Sequence, residues 1–273
     1  MYDEFEHLSF SRPSDGVLLI TIDRADRYNA MTERMHQELG EVWPIVSRDP
    51  QTRVAVITGA GKAFCAGGDL DMVERQFGDL TRAAAAMQEG SDIVFNMINC
   101  NKPIVSAING VAVGGGLAVA LLADISVIAE DATLTDGHLR LGVVAGDHAA
   151  LIWPLLCGMA RAKYYLMTGE LVTGTEAERI GLVSRCVPTA DVLSTSLAIA
   201  EELAQGSQLA LRWTKRTLNH WLRDAGPIFD SSLAYEVLGF FGDDAREGLA
   251  AIRERRSPRF PSASPADTAA QLG

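Results

Sequence analysis

Three consecutive glycines, Gly114-Gly115-Gly116, open the apolar run Leu117–Ala123. A helix starting there presents unpaired N–H groups and the positive end of its dipole at one place, which suits an oxygen that gains negative charge during a reaction. A second small-residue segment runs from Val54-Ala-Val-Ile-Thr-Gly59 through Ala-Gly-Lys-Ala-Phe-Cys-Ala-Gly-Gly-Asp to Leu70. Its four glycines allow close backbone approach to a ligand, although a tight turn needing glycine for geometry alone explains them as well. Neither segment gives G-x-G-x-x-G in the right context or G-x-x-x-x-G-K-[ST], so dinucleotide and P-loop readings are weak.

Side chains able to move protons cluster just downstream: Asp136, His138, Asp147 and His148. Histidine titrates near neutrality and serves as a general base, and an aspartate can orient it or attack an activated carbon. Structural roles compete. His138 can be a backbone-satisfied histidine, Asp136 can close a turn, and Asp147 is placed to cap a helix beginning near His148. No metal site is expected, because H-E-x-x-H spacing is absent and a third ligand would have to be distant. Cys65 has no histidine near it in sequence, so packing explains it better than nucleophilic chemistry.

Positioning these groups falls to short β-branched runs at Val17–Ile22, Val54–Thr58, Ile104–Ile108 and Ile125–Ala129, which have the character of buried strands. Helical patterns lie between them at Thr32–Ser47, with Thr32 as N-cap, and at Thr81–Cys100, where Val94, Met97 and Ile98 share a face. Alternating strands and helices predict an α/β layer structure. After about Ala132 helices dominate, at Ala190–Gln205, Ser207–Leu222, Pro227–Phe241 and Asp243–Arg256, broken by Gly206 and Gly226, with a short strand at Leu182–Val187. The domain expectation is an α/β core over 1–200, a helical oligomerisation region over 201–260 and a mobile Pro/Ser/Ala-rich tail over 261–273.

Composition narrows the partners. With 35 acidic against 24 basic side chains the formal charge of the 273-residue chain is −11, which argues against nucleic acid. A hydrophobic share of 48% with 22% charged residues describes a globular protein. Pro103–Ala123 carries no charge over 21 residues, long enough to span a membrane, but Asn109-Gly110 and the glycine triplet break it, so no membrane role is expected. The acidic start MYDEFEHLSF is unlike a secretory leader, and four scattered cysteines without C-x-x-C fit a reducing cytoplasm.

Phe64-Cys-Ala-Gly-Gly-Asp-Leu70 and Asn109-Gly-Val-Ala-Val-Gly-Gly-Gly116 together resemble the two oxyanion loops of the crotonase (enoyl-CoA hydratase/isomerase) superfamily. Tyr28-Asn-Ala-Met31, Leu166-Met-Thr-Gly169, Ala177–Val183 and Asp243-Asp-Ala-Arg-Glu-Gly248 extend the resemblance in order from about Val17 to Phe260. It implies a crotonase-like spiral of ββα units with a helical C-terminal region, assembled as a homotrimer or dimer of trimers. It also implies that the amides of Ala66 and Gly115 hold a thioester oxygen. Coenzyme A, part of an acyl-CoA substrate rather than a prosthetic group, is expected near Arg27, Tyr28, Lys62, Ala66, Asp69 and Leu70, and near Phe240 on a neighbouring subunit's helix.

Hydratases of this kind use two glutamates, and the corresponding positions here hold Ala118 and, by alignment, His138. A methyl group transfers no proton. The expectation is therefore an acyl-CoA-processing enzyme in which His138 and Asp147, with His148, replace the missing carboxylates, the sequence not choosing between Asp147 and His148. A CoA-thioester hydrolase or C–C bond lyase using the same pocket, or a non-catalytic acyl-CoA binder, are the alternatives.

Overall fold

A computed structural model describes residues 1–264. Ten strands occur among these residues: β1 (Leu8–Ser14), β2 (Val17–Ile22), β3 (Val54–Gly59), β4 (Ala63–Cys65), β5 (Ile104–Ile108), β6 (Val111–Val113), β7 (Ile125–Ala129), β8 (Thr133–Thr135), β9 (Val172–Thr173) and β10 (Arg185–Val187). They form a six-stranded sheet in the order β1-β2-β3-β5-β7-β10 and a four-stranded sheet in the order β4-β6-β8-β9. The pairs β3/β4, β5/β6 and β7/β8 each send one strand to each sheet before the chain turns into helix. This is the ββα spiral.

The four long strands expected from their β-branched runs are present and pair in parallel through β2, β3, β5 and β7. Every residue of β3 and β5 is buried, as strands covered on both faces must be. The expected strand at 182–187 shortens to β10. Strand β1 was not anticipated, because Arg12 and Pro13 break its pattern; it is an antiparallel edge strand, where proline is tolerated. The second sheet was also missed, since strands of two or three residues leave no periodicity to find.

Helices α1 (Glu33–Arg48), α2 (Leu70–Glu74), α3 (Leu80–Asn99), α4 (Gly114–Leu122) and α5 (His138–Leu141) follow the strands. Thr32 caps α1 by accepting the Met35 N–H, and α1 packs on α3. Then come α6 (Ala149–Cys157), α7 (Met159–Thr168), α8 (Gly174–Ile180), α9 (Val192–Gln205), α10 (Gln208–Leu218), α11 (His220–Asp224), α12 (Gly226–Gly239) and α13 (Asp243–Arg253). The domain limit expected at residue 200 falls inside α9, which packs on β3 and β5. The break expected at Gly226 falls where α11 ends and α12 begins. Residues 261–263 form a 3-10 turn held by Asp244, whose carboxylate accepts the Ser262 N–H, so this part of the expected mobile tail is docked; residues 265–273 lie outside the described residues. Among the described residues no helix is long and apolar enough to cross a membrane.

Candidate active site

The two glycine-rich segments meet because other residues stitch them. Asn109 donates from Nδ2 to the carbonyls of Gly59 and Gly61, and its Oδ1 accepts the Gly59 N–H, tying the start of one loop to the other. Gly110 passes so close to the Lys62 carbonyl that a Cβ would collide with it. Asn29, buried in a left-handed conformation, donates to the carbonyls of Ala60, Ala63 and Phe64. The Tyr28–Met31 motif therefore acts as a backbone clamp on the loop at 63–69.

That clamp corrects one expectation. The Ala66 N–H donates to the Tyr28 carbonyl at 3.0 Å, so it is not free for a ligand. Met31 N–H takes the Gly67 carbonyl and Asp69 N–H the Met31 carbonyl, while no acceptor among the described residues takes the Gly68 N–H. Gly115 lies in the first turn of α4, where the N–H has no intrahelical acceptor. Both Gly68 and Gly115 line a cavity of about 360 Å³, and both adjoin Met31: Gly68 bridges to it, and a Cβ on Gly115 would lie 3.2 Å from its Sδ. Sequence spacing could not separate Ala66 from Gly68, because the choice depends on which amide the Tyr28 carbonyl occupies.

Asp136, His138 and Asp147 line the same cavity, joined by Glu236 from α12. His138 Nδ1 is 3.0 Å from Asp136 Oδ2, and its Nε2 is 3.4 Å from Glu236 Oε1 and 3.7 Å from Asp147 Oδ2. Burial disfavours a cationic imidazole, but the three carboxylates outweigh it and hold the His138 pKa well above the ordinary histidine value. Asp136, His138 and Asp147 offer ligand atoms within 4.8 Å of one another, a proximity their spacing did not reveal.

Asp147 does not cap α6; His148 occupies that N-cap position and no side chain caps there. Instead Asp147 Oδ1 lies 2.5 Å from His148 Nδ1, and the Trp153 Nε1–H donates to His148 Nε2 at 3.3 Å. Indole is only a donor, so Nε2 must be the acceptor and Nδ1 carries the proton given to Asp147. His148 is thus a fully buried, neutral support for Asp147, away from the cavity lining. Burial works against the Asp147 anion, yet the His138 charge and the His148 hydrogen bond outweigh it and keep the pKa below the usual carboxylate range.

Glu236 is shifted the other way. Burial is the largest cause, opposed by His138 and reinforced by Asp147 and Asp136, so its carboxyl holds a proton to higher pH than an exposed glutamate. Its Oε2 has no hydrogen-bond partner among the described residues. Nothing in the residue pattern of 227–241 distinguishes this glutamate from a solvated one, which is why the sequence did not reveal it. One pocket thus holds a carboxyl whose pKa is lowered, Asp147, beside an imidazole and a carboxyl whose pKa values are raised, His138 and Glu236.

The remaining expected residues divide. Leu70 and Phe240 line the cavity, where Phe240 packs against Phe77 of the same chain at 6.1 Å. Arg27, Tyr28 and Lys62 are exposed and outside the cavity. Asp69 is engaged as N-cap of α2 and partner of Arg24 at 3.0 Å. Ala118 is buried within α4. Burial pushes the Cys65 thiol up to about 12, and a Cβ at Gly116 would stand 2.5 Å from Cys65 Cβ, so Cys65 is packing.

The model of the family described as enoyl-CoA hydratase/isomerase matches residues 12–263. The chain belongs to that family. Among its curated relatives, the (E)-benzylidenesuccinyl-CoA hydratase of Thauera aromatica is 34% identical over 253 residues, covering 92% of this chain and 97% of the relative. An enoyl-CoA hydratase/isomerase crystal structure from Mycobacterium paratuberculosis superposes with a TM-score of 0.86 at 35% identity, covering 91% of this chain and 99% of that one. A β-diketone hydrolase from the cyanobacterium Anabaena, bound to (S)-3-oxocyclohexyl acetic acid, gives 0.78 at 27% identity, covering 88% and 96%. The crotonase fold of this enoyl-CoA hydratase/isomerase family member thus extends over nearly its whole described length.

Proposed function

We propose that this family member is an enzyme that adds water to an acyl-CoA through a thioester enolate, with the carbonyl oxygen held by the amides of Gly68 and Gly115. The observation that carries this is the position of Asp147. Its Oδ2 lies 3.7 and 3.8 Å from where Cβ atoms of Gly114 and Gly115 would stand, beside the donor that would hold the oxygen. A base there reaches the carbons next to a carbonyl bound at Gly115.

In hydration of a 2-enoyl thioester, water adds its oxygen to the β-carbon while Asp147 takes the proton. The double-bond electrons move to the carbonyl oxygen, where each amide is worth about 3 kcal/mol in the transition state. Glu236 then delivers a proton to the α-carbon. His138 lies between the two carboxyls, so the proton on Asp147 returns through it to Glu236 and the site is restored. This set takes the place of a glutamate pair, in keeping with Ala118 in α4.

A second reading is favoured by the likeness to the β-diketone hydrolase. Water would attack one carbonyl of a 1,3-dicarbonyl compound, the C–C bond would break, and the enolate leaving group would rest on the same amides until Glu236 protonates its carbon. Crotonyl-CoA hydration, release of free thiol, and loss of the enol absorbance of a 1,3-diketone separate the readings. Loss of the crotonyl-CoA double bond without thiol release supports hydration; diketone turnover alone supports C–C cleavage; binding of crotonyl-CoA without turnover of either leaves a silent binder.

The chain is further proposed to work in the cytoplasm as a homotrimer or dimer of trimers. Exposed Leu155, Met159, Trp213, Leu218 and Trp221 support an assembly that covers them, and four free cysteines suit a reducing compartment.

A further inference from the structure

Much of the cavity lining is apolar, including Met72, Val73, Ala86, Met87, Leu233 and Val237, and two polar side chains stand among them as exceptions. Gln76 is 7% exposed and its side-chain amide makes no hydrogen bond among the described residues. Neither amide atom is sealed from solvent without a partner, as the Glu236 Oε2 is, and Gln76 is one of the residues that line the cavity. His36 is the second exception. Its Nδ1 is 2.9 Å from Glu89 Oε2, which fixes the ring, while Nε2 has no hydrogen-bond partner among the described residues. Its Cε1 would be 3.9 Å from a Cβ on Gly90, a residue of the same wall.

A pocket for a plain hydrocarbon chain has no use for such groups, since an unpaired buried amide costs about 1–3 kcal/mol. Substrate pockets use a few placed polar groups in an apolar lining to fix orientation and identity. Resting on the acyl-CoA reading above, we propose that Gln76, aided by His36, recognises a second oxygen on the acyl portion, so that the substrate class is an oxo- or hydroxy-bearing acyl group. The amide of Gln76 supplies both a donor and an acceptor, suiting a carbonyl or a hydroxyl. The rejection of the deoxy analogue follows from the same physics: it would leave the amide buried with neither protein nor water to bond.

The test compares affinities by calorimetry for hexanoyl-CoA and 5-oxohexanoyl-CoA, neither of which has a double bond to hydrate, and for cyclohexylacetate and 3-oxocyclohexylacetate, which lack CoA. Wild-type protein is expected to prefer the oxo member of a pair about five- to tenfold. Gln76→Met, close in shape but unable to donate, should bring that ratio to near 1, and His36→Phe should lower it. Equal affinity for both members of each pair in the wild type, or a preference that survives Gln76→Met with the fold intact by circular dichroism, would overturn the proposal. If only the CoA-free pair binds, the acyl-CoA reading fails while the preference within that pair still decides the role of Gln76.

Discussion

The indole N–H of Trp153 donates to Nε2 of His148 over 3.3 Å, and this bond determines which way the imidazole serves the site. With Nε2 occupied as an acceptor, His148 must offer Nδ1–H to Asp147, which is left with Oδ2 toward Gly115 and His138. Trp153 is buried among core residues, so the aim of Asp147 is set from the protein interior.

Trp153→Phe keeps the aromatic packing and deletes the donor. Turnover is expected to fall about tenfold, as for loss of an outer group that orients a working one, with a smaller change in KM. An unchanged kcat would mean that Asp147 needs no such support.

Glu236→Gln preserves shape and removes the proton donor. General acid–base groups contribute about 10²–10⁴-fold, and a loss in that range is expected in kcat. Because the Glu236 pKa is raised, wild-type activity should decline as pH rises through it, and the variant's residual activity should lack that limb. A pH–rate profile of both proteins checks the pair of outcomes.

His138 links the site to stability. Its folded pKa is raised, so its contribution is complete below the unfolded value of about 6.5 and is lost as pH rises through the folded value. Melting temperatures of wild type should therefore fall on the alkaline side of neutrality. His138→Gln should flatten that slope and, by leaving the buried carboxylates without their cation, cost about 3 kcal/mol near pH 7. Parallel wild-type and variant slopes would place the alkaline loss elsewhere.

Much of this arrangement was legible in the sequence and some was not, for identifiable reasons. Strands β2, β3, β5 and β7 announce themselves by β-branched runs, and the helix at Gly114 by its glycine triplet. Asp136, His138 and Asp147 were recognisable as chemistry within one short stretch. Glu236 was not, because the fold brings α12 over the site from far along the chain. The engagement of the Ala66 amide by the Tyr28 carbonyl, on which the proposed shift of the first-loop donor to Gly68 rests, is a long-range contact without a local signature.

That shift gives its own test. Proline at Gly68 or at Gly115 removes an N–H that no group among the described residues accepts, so a variant whose melting temperature shows the fold intact should lose about 10²-fold in kcat. Ala66→Pro instead removes a donor bonded to Tyr28 and should be seen first as a lower melting temperature. Rate loss at position 66 with full stability, and none at 68, would return the role to Ala66.

The most direct measurement follows the α-protons of butyryl-CoA in D₂O by NMR, since this substrate can form the enolate but has no double bond to hydrate. The wild-type enzyme is expected to exchange them far above the uncatalysed rate, with exchange suppressed about 10²-fold or more in both Gly115→Pro and Glu236→Gln. Exchange at the background rate in the wild type, or undiminished exchange in the two variants, would contradict an enolate held at Gly68 and Gly115 and served at its α-carbon by Glu236.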